Sequence, residues 1–311
     1  MRSRTRPRIA VPPQPGRRFV ITGANSGVGL AAAQILGSRG AHLVLACRSV
    51  EKAQAAARTV PGHDLGRVQV RRLDVADLDS VHRFARELVA EVGGADVLVN
   101  NAGVLGVPHR LTREGVEMHF ATNYLGHYVL TNLLLPHLTD RVVVTGSREH
   151  RGGRLDDLDD LGWQRRPYRA FQAYGDSKLA DLLFLAELDR RLRAAGSPLR
   201  AVGAHPGATA SAITRGTGHP WITAVAGFGH RLVGMPAWRG ALNTVHAATT
   251  DVPGGSYTGP HGITELWGWP GPARRSRRAQ DPVLARALWR RSVDLTGLDF
   301  PDQVEGRLSP G

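Results

Sequence analysis

The sequence predicts one α/β domain: a doubly wound parallel sheet with helices on both faces. Three observations carry that expectation. Short apolar runs alternate with helix-patterned stretches six times between Arg17 and Ala204, the chain order of a parallel sheet. The first run passes directly into a glycine-rich turn and then a helix. Every polar or glycine cluster that suits chemistry falls at the C-terminal end of a run, where such sheets bind ligands.

A chain of 311 residues can bury one sizeable core, and no internal repeat divides it. Residues 1 to 16 combine four prolines with several arginines and no apolar periodicity, so they are expected to be a disordered basic tail. The domain is expected over 17–298 and a short C-terminal tail over 299–311.

Phe19-Val20-Ile21 reads as the first strand. It enters Thr22-Gly23-Ala24-Asn25-Ser26-Gly27-Val28-Gly29 and a helix over Leu30 to Leu36. That order sets backbone N–H groups and a helix N-terminus where a pyrophosphate can sit. A plain strand-to-helix turn remains the alternative. Ala41 to Ala46 form a second strand ending at Cys47-Arg48-Ser49. An acidic residue here would take the ribose hydroxyls of NAD, whereas an arginine suits the extra phosphate of NADP. Arg48 therefore favours NADP(H), with NAD(H) still open, unless it is only a solvated strand-end arginine.

A helix over Val50 to Thr59 and a strand over Val68 to Leu73 lead to Asp74-Val75, a candidate adenine contact or the cap of a helix over Leu78 to Val92. The fourth strand, Asp96 to Val99, ends in Asn100-Asn101-Ala102-Gly103. Amides there can tie strands and pin a ribose, although turns also favour these residues. Phe120 to Leu138 reads as one helix carrying Asn123, and Arg141 to Thr145 as a strand ending in Gly146-Ser147. Asp156, Asp157, Asp159 and Asp160 then read as a solvated loop rather than a metal cage.

Tyr174 and Lys178 stand four residues apart at the start of an apolar helix running to about Ala195, so their side chains share a face. A free phenol has a pKa of roughly 10, and a nearby cation favours the phenolate; the pair reads as a tunable acid/base. A solvent-facing Tyr and Lys is the bland alternative. Composition weighs against it: Lys52 and Lys178 are the chain's only lysines amid many arginines, which points to a need for a compact ammonium.

Leu199 to Ala204 form the sixth strand and exit into His205-Pro206-Gly207-Ala208-Thr209. A lid is expected over about 208–236, within which Trp221 to Phe228 suit a packed amphipathic piece, an apolar pocket wall or a weak contact with a membrane surface. A helix over Pro236 to Thr249, a strand or turn over Gly255 to Gly259 and a capped helix over Asp281 to Leu295 complete the chain.

The remaining composition narrows function by exclusion. The single Cys47 forbids an internal disulfide and suits a reducing compartment. No run approaches the roughly 20 apolar residues of a membrane span, and Met1 to Gly16 lacks a signal-peptide core, so a cytoplasmic protein is expected. The formal charge of +13 is carried by scattered arginines without a nucleic-acid motif, clustered only between Arg2 and Arg18 and at Arg274, Arg275, Arg277 and Arg278. No nucleic-acid partner is expected.

Thr22-Gly23-x-x-x-Gly27-x-Gly29, Asn100-Asn101-Ala102-Gly103, Ser147, Tyr174-x-x-x-Lys178 and Pro206-Gly207 occur in the order of the short-chain dehydrogenases/reductases, and the chain resembles that family over about residues 17 to 298. The finer wording, including Asn-Tyr-Leu-Gly-His and Tyr-Gly-Asp-Ser-Lys-Leu-Ala, is similar to the branch of retinol dehydrogenases, WW-domain oxidoreductases and protochlorophyllide reductases. The resemblance implies a Rossmann-type fold and an oxidoreductase acting on a carbonyl or alcohol, with Tyr174 as general acid/base. It implies that Lys178 lowers the Tyr174 pKa and holds the nicotinamide ribose. Ser147 would bond the substrate oxygen, and Asn123 would position a relay water. Cofactor contacts would come from Gly23, Asn25, Ser26, Gly27, Val28, Gly29, Arg48, Ser49, Asp74, Val75, Asn101, Ala102, Gly103, Lys178, Pro206, Gly207 and Thr209, with no metal. Family members often pair through the helices bearing Asn123 and Tyr174, so the resemblance leaves a homodimer open, while packing within one chain would equally explain their apolar residues. Relatives in this branch often carry paired serines where this chain has Gly146-Ser147. A cofactor-binding redox sensor without turnover is the competing class, although such proteins commonly lose the Tyr, Lys or Ser kept here.

Overall fold

In the computed structural model the described residues are 11–209, 235–262 and 264–304. The expected lid over 210–234, with Trp221 to Phe228, lies outside them, as do 1–10 and the end of the C-terminal tail.

Eight strands form one sheet in the order β3-β2-β1-β4-β5-β6-β7-β8. They are β1 (Arg18–Thr22), β2 (His42–Cys47), β3 (Val68–Arg72), β4 (Ala95–Asn100), β5 (Leu138–Thr145), β6 (Arg200–Ala204), β7 (Tyr257–Pro260) and β8 (Pro270–Pro272). The first seven run parallel, and β8 lies antiparallel to β7. The order reverses between β1 and β4, which opens a crevice at their C-terminal ends. The doubly wound α/β expectation holds; β8 is an addition, because three residues of Pro-Gly-Pro carry no strand pattern.

Strand alternation sends successive side chains to opposite faces. Phe19, Ile21, Leu43, Leu45, Val97, Val99, Val143 and Val202 pack under α1 (Gly27–Gly37), α2 (Val50–Ala57) and α6 (Ala237–Thr249). Val20, Val44, Leu98, Val142, Val144 and Ala201 face α3 (Leu78–Val92), α4 (Gly126–Leu134), α5 (Ala170–Ala194) and α7 (Pro282–Thr296). Helix α5 is buried almost all round, charged residues such as Lys178 and Asp181 included, because it lies between the sheet and α7.

Several boundaries differ from the sequence reading. Order begins before Arg17: Val11 and Gln14 are buried, and the Gln14 backbone N–H donates to the Arg39 carbonyl. The other end also packs, since Val304 is buried and the Asp299 carboxylate accepts from the Trp289 indole at 2.6 Å. The single helix expected over Phe120 to Leu138 is instead a π-helical turn, Phe120–Leu125, then α4, then a 3-10 turn, Leu135–His137, and β5 begins at Leu138. Gly126 sits at the join because a Cβ there would lie 1.7 Å from the Val75 carbonyl oxygen, so only glycine lets this helix press against that loop. Asp77, not Asp74, caps α3. The aspartate loop is less solvated than expected: Asp160 is buried and accepts from the backbone N–H groups of Gln164 and Arg165, between buried Leu155, Leu161 and Trp163.

Candidate active site

The crevice at the strand reversal is a cleft of about 330 Å³. Its floor is the turn between β1 and α1. Gly23 and Gly27 adopt φ of +67° and +57°, which side chains resist. A Cβ on Gly29 would lie 2.5 Å from Asn101 Nδ2 and 2.8 Å from the Gly23 carbonyl. Helix α1 begins at Ser26 without a side-chain cap bond and without an acid in its first turn. Its opening N–H groups therefore have no intrahelical partner and favour an anion. This glycine cradle fits the pyrophosphate of a dinucleotide.

The cleft gathers most of the cofactor residues read from the sequence: Gly23, Asn25, Ser26, Gly27, Val28, Gly29, Arg48, Ser49, Asp74, Val75, Asn101, Ala102, Gly103, Pro206 and Thr209. Arg48 follows β2 there, and no ion pair among the described residues engages its guanidinium. Ser49 caps α2, accepting from the Lys52 backbone N–H. Asp74 braces its own turn, with Oδ1 accepting from the Ala76 N–H. Gly207 does not line the cleft: its φ of +70° turns the chain beneath Leu266, whose carbonyl a Cβ would meet at 2.6 Å.

Thr22 was read only as the head of the glycine-rich motif, with no role of its own, and it ties the cleft together. Its hydroxyl accepts from the backbone N–H groups of Asn101 and Ala102 at 2.9 Å each, while Asn101 Nδ2 donates to the Thr22 carbonyl at 2.8 Å. His127 Nδ1–H donates to the Asn123 carbonyl, which leaves Nε2 to accept from the Thr22 hydroxyl at 2.9 Å. Burial pushes the His127 pKa down to about 4, so it serves as a neutral strut. Lys52 also lines the cleft, and so do Cys47 and Thr145; burial pushes the Cys47 thiol up to about 11 and keeps it protonated. The lysine signal was present in the sequence: both lysines adjoin this cleft.

Ser147, Tyr174, Lys178 and Asn123 stand against the cleft rather than in its lining. Lys178 Nζ donates to the Thr145 carbonyl at 2.9 Å and to Asp181 at 2.8 Å, and it lies 5.9 Å from the Tyr174 ring centre. The shared helix face read from the spacing is therefore present. Asn123 accepts from the Val104 N–H through Oδ1, and both its amide protons are used, on the Val104 carbonyl and Ser177 Oγ. It braces the loop after β4 against α5, and the π-helical turn aims it there; such turns recur at functional sites. Ser147 caps a 3-10 turn, Arg148–Gly152, accepting from Glu149 N–H. That turn packs on the Tyr174 segment so closely that a Cβ on Gly153 would lie 2.4 Å from the Gly175 carbonyl. The Tyr174 hydroxyl has no hydrogen-bond partner among the described residues, and the edge of His119 lies against its ring at 6.2 Å between centres. His119 is in turn fixed by Glu117 at 2.7 Å, and Tyr168 donates to the same carboxylate.

Among the described residues no group of three or more His, Cys, Asp or Glu could hold a metal ion. No helix among them is long and apolar enough to cross a membrane.

Fold and cleft together define a dinucleotide-binding α/β protein, and comparison with known proteins makes the class specific. Residues 17–220 match the short chain dehydrogenase family; the chain belongs to that family of oxidoreductases. It is 38% identical over 303 residues to retinol dehydrogenase 13 of Homo sapiens, covering 94% of this chain and 88% of that protein. It is 35% identical over 298 residues to polyprenol dehydrogenase of Danio rerio, covering 93% and 89%. Among solved structures, an uncharacterized protein from Mycobacterium paratuberculosis is 47% identical, with a TM-score of 0.79 over 93% of this chain and 97% of that one. A short chain dehydrogenase from Burkholderia cenocepacia in complex with NADP shares the fold at 24% identity, with a TM-score of 0.60 over 78% and 95%.

Proposed function

We propose that this chain is an NADP-linked oxidoreductase that interconverts a carbonyl and an alcohol on an apolar small molecule. The observation that carries the reading is the juxtaposition of a glycine cradle ending at Arg48 with the Tyr174–Lys178 helix across Thr145. The names of the relatives, a retinol dehydrogenase and a polyprenol dehydrogenase, support an apolar alcohol or aldehyde as substrate.

Bound in the cleft, a nicotinamide dinucleotide supplies the hydride donor or acceptor. The helix α1 N-terminus would hold its pyrophosphate, Arg48 with Ser49 and Lys52 its extra phosphate, and Lys178 a ribose hydroxyl. Asp74 with Val75 would contact the adenine, and Asn101, Ala102 and Gly103 with Pro206 and Thr209 would hold the rest of the dinucleotide. Tyr174 then manages the proton. In reduction its hydroxyl gives a proton to the substrate oxygen, and in oxidation its oxygen takes one. The Ser147 hydroxyl donates to that same oxygen as charge develops. Asn123 keeps Val104 and Ser177 in register beside Lys178 and would also position the relay water there.

The test is turnover of NADPH and of NADH by the full chain with a panel of apolar aldehydes and ketones, read by cofactor absorbance. Faster turnover of NADPH with apolar substrates supports the reading. Binding of neither cofactor would remove it.

A further inference from the structure

The ammonium of Lys178 sits in a place where a lysine does not easily stay charged. Its residue is 4% exposed, and burial alone favours the neutral amine. Asp181, one turn further along α5 and 2% exposed, answers it with a carboxylate 2.8 Å from Nζ. The Thr145 carbonyl supplies a second acceptor at 2.9 Å.

We propose that Asp181 is a positioning residue for the reaction: it is the buried counter-ion that keeps Lys178 protonated and aimed along β5 beside Tyr174. The inference rests on the reading of Tyr174 and Lys178 as the acid/base pair. Geometry carries it. Both side chains are sealed from solvent, and both approach from one helix. No other carboxylate among the described residues reaches the ammonium.

The other titratable groups packed around the pair add no opposing charge at neutral pH. Tyr174 shares the helix. His127 faces it from α4 and is held neutral by burial, its pKa down to about 4. Tyr124 of the π-helical turn and Tyr257 of β7 both feel Asp181, and burial pushes both phenols well above their ordinary range, so they stay protonated. The negative charge that offsets Lys178 therefore comes from Asp181. Burial pulls the Lys178 pKa down, yet attraction to Asp181 first and Tyr174 next leaves it above the ordinary lysine value.

Without that carboxylate, burial acts on Lys178 unopposed. The amine would lose its proton at a lower pH, and with the proton goes the positive charge beside Tyr174. An asparagine at this position keeps the shape and a hydrogen-bonding oxygen but removes the charge. A glutamate restores the charge on a longer stem.

The chain's having only two lysines makes the test direct. Full-length protein labelled with ¹³C at the lysine ε-carbons gives one resonance for Lys52 and one for Lys178, and Lys52→Arg assigns them. In the wild type the Lys178 resonance is expected to titrate above the ordinary lysine midpoint of about 10.4. In Asp181→Asn the midpoint should fall by about two pH units or more, roughly a hundredfold in proton affinity. Turnover of Asp181→Asn should then decline with rising pH along that same new midpoint, and Asp181→Glu should regain the wild-type profile. An unmoved Lys178 midpoint in Asp181→Asn would overturn the proposal. So would a wild-type midpoint below the ordinary lysine value, a result that needs no variant to fold. The resonances are read without cofactor or substrate. A shifted midpoint in a protein that never turns over would sink the acid/base reading and leave the ion pair standing, whereas normal turnover with an unmoved midpoint would sink only the role of Asp181.

Discussion

The two sides of the candidate site, the cleft and the wall standing against it, are built from different materials. The wall formed by β1, α1 and β2 is mostly backbone: Gly23, Gly27 and Gly29 bring main chain and helix N-terminus to the surface, and a Cβ on Gly29 would lie 2.5 Å from Asn101 Nδ2. The wall formed by β5 and α5 is side chain: Tyr174, the buried Lys178–Asp181 pair and the Ser147 turn. A backbone wall tolerates little substitution but carries no buried charge. A side-chain wall holds buried charge, and each charge needs a partner nearby. The first suits a fixed, multiply charged ligand, and the second suits a proton that must come and go.

Substitutions on either side should separate the walls. The largest effect is expected from Tyr174→Phe, which should cut turnover by about 10²–10⁴-fold while NADPH affinity, measured by fluorescence titration, stays near wild type. Equal losses in both would mean that the walls are not separable. Gly29→Val should do the reverse in kind: its side chain drives into Asn101 and the Gly23 carbonyl, so cofactor binding should vanish, with about 1–3 kcal/mol of stability lost to overpacking, measurable by denaturant unfolding. Arg48→Ala should weaken NADPH by about 10–100-fold, the range of a charge-assisted bond of roughly 1.5–3 kcal/mol, and leave NADH nearly unchanged. Parallel losses for both cofactors would remove Arg48 from phosphate recognition.

A smaller effect concerns pH and stability beside the side-chain wall. Burial raises the Glu117 carboxyl, but hydrogen bonds and charge attraction from His119, with Tyr168, outweigh it and leave its pKa below the ordinary value. A carboxyl depressed in the folded state binds its proton less tightly than when unfolded. Its contribution is therefore complete above the unfolded pKa of about 4.3 and is lost as pH falls through the folded value. Glu117→Gln should flatten the acid side of the stability profile measured by thermal unfolding, and an unchanged profile would show that Glu117 adds nothing there.

The backbone wall was legible in the sequence because its requirements are local. Gly23, Gly27 and Gly29 follow one strand within one turn, and Asn101 and Arg48 directly follow their own strands, so spacing and strand order place them together. The Tyr174–Lys178 pair was legible for the same reason, being one helical turn. The partners that complete them were not. Asp181 looks like any polar residue on a helix until β5 and α7 bury that helix on both sides. Thr22 looks like an ordinary β-branched strand residue, yet its hydroxyl takes two backbone N–H groups from the loop after β4. The π-helical turn at Phe120–Leu125 leaves no pattern of its own; one extra residue in a turn is set by what the helix packs against. Val11 and Gln14 were hidden within a proline- and arginine-rich composition, and their burial depends on contacts such as Arg39.

The role of Tyr174 is tested most directly by one paired measurement: NADPH affinity and NADPH oxidation with an apolar aldehyde, each determined for the wild type and for Tyr174→Phe. Both proteins are expected to bind NADPH with similar affinity, and only the wild type to oxidise it. Turnover by Tyr174→Phe at the wild-type rate would contradict the assignment of the proton to Tyr174.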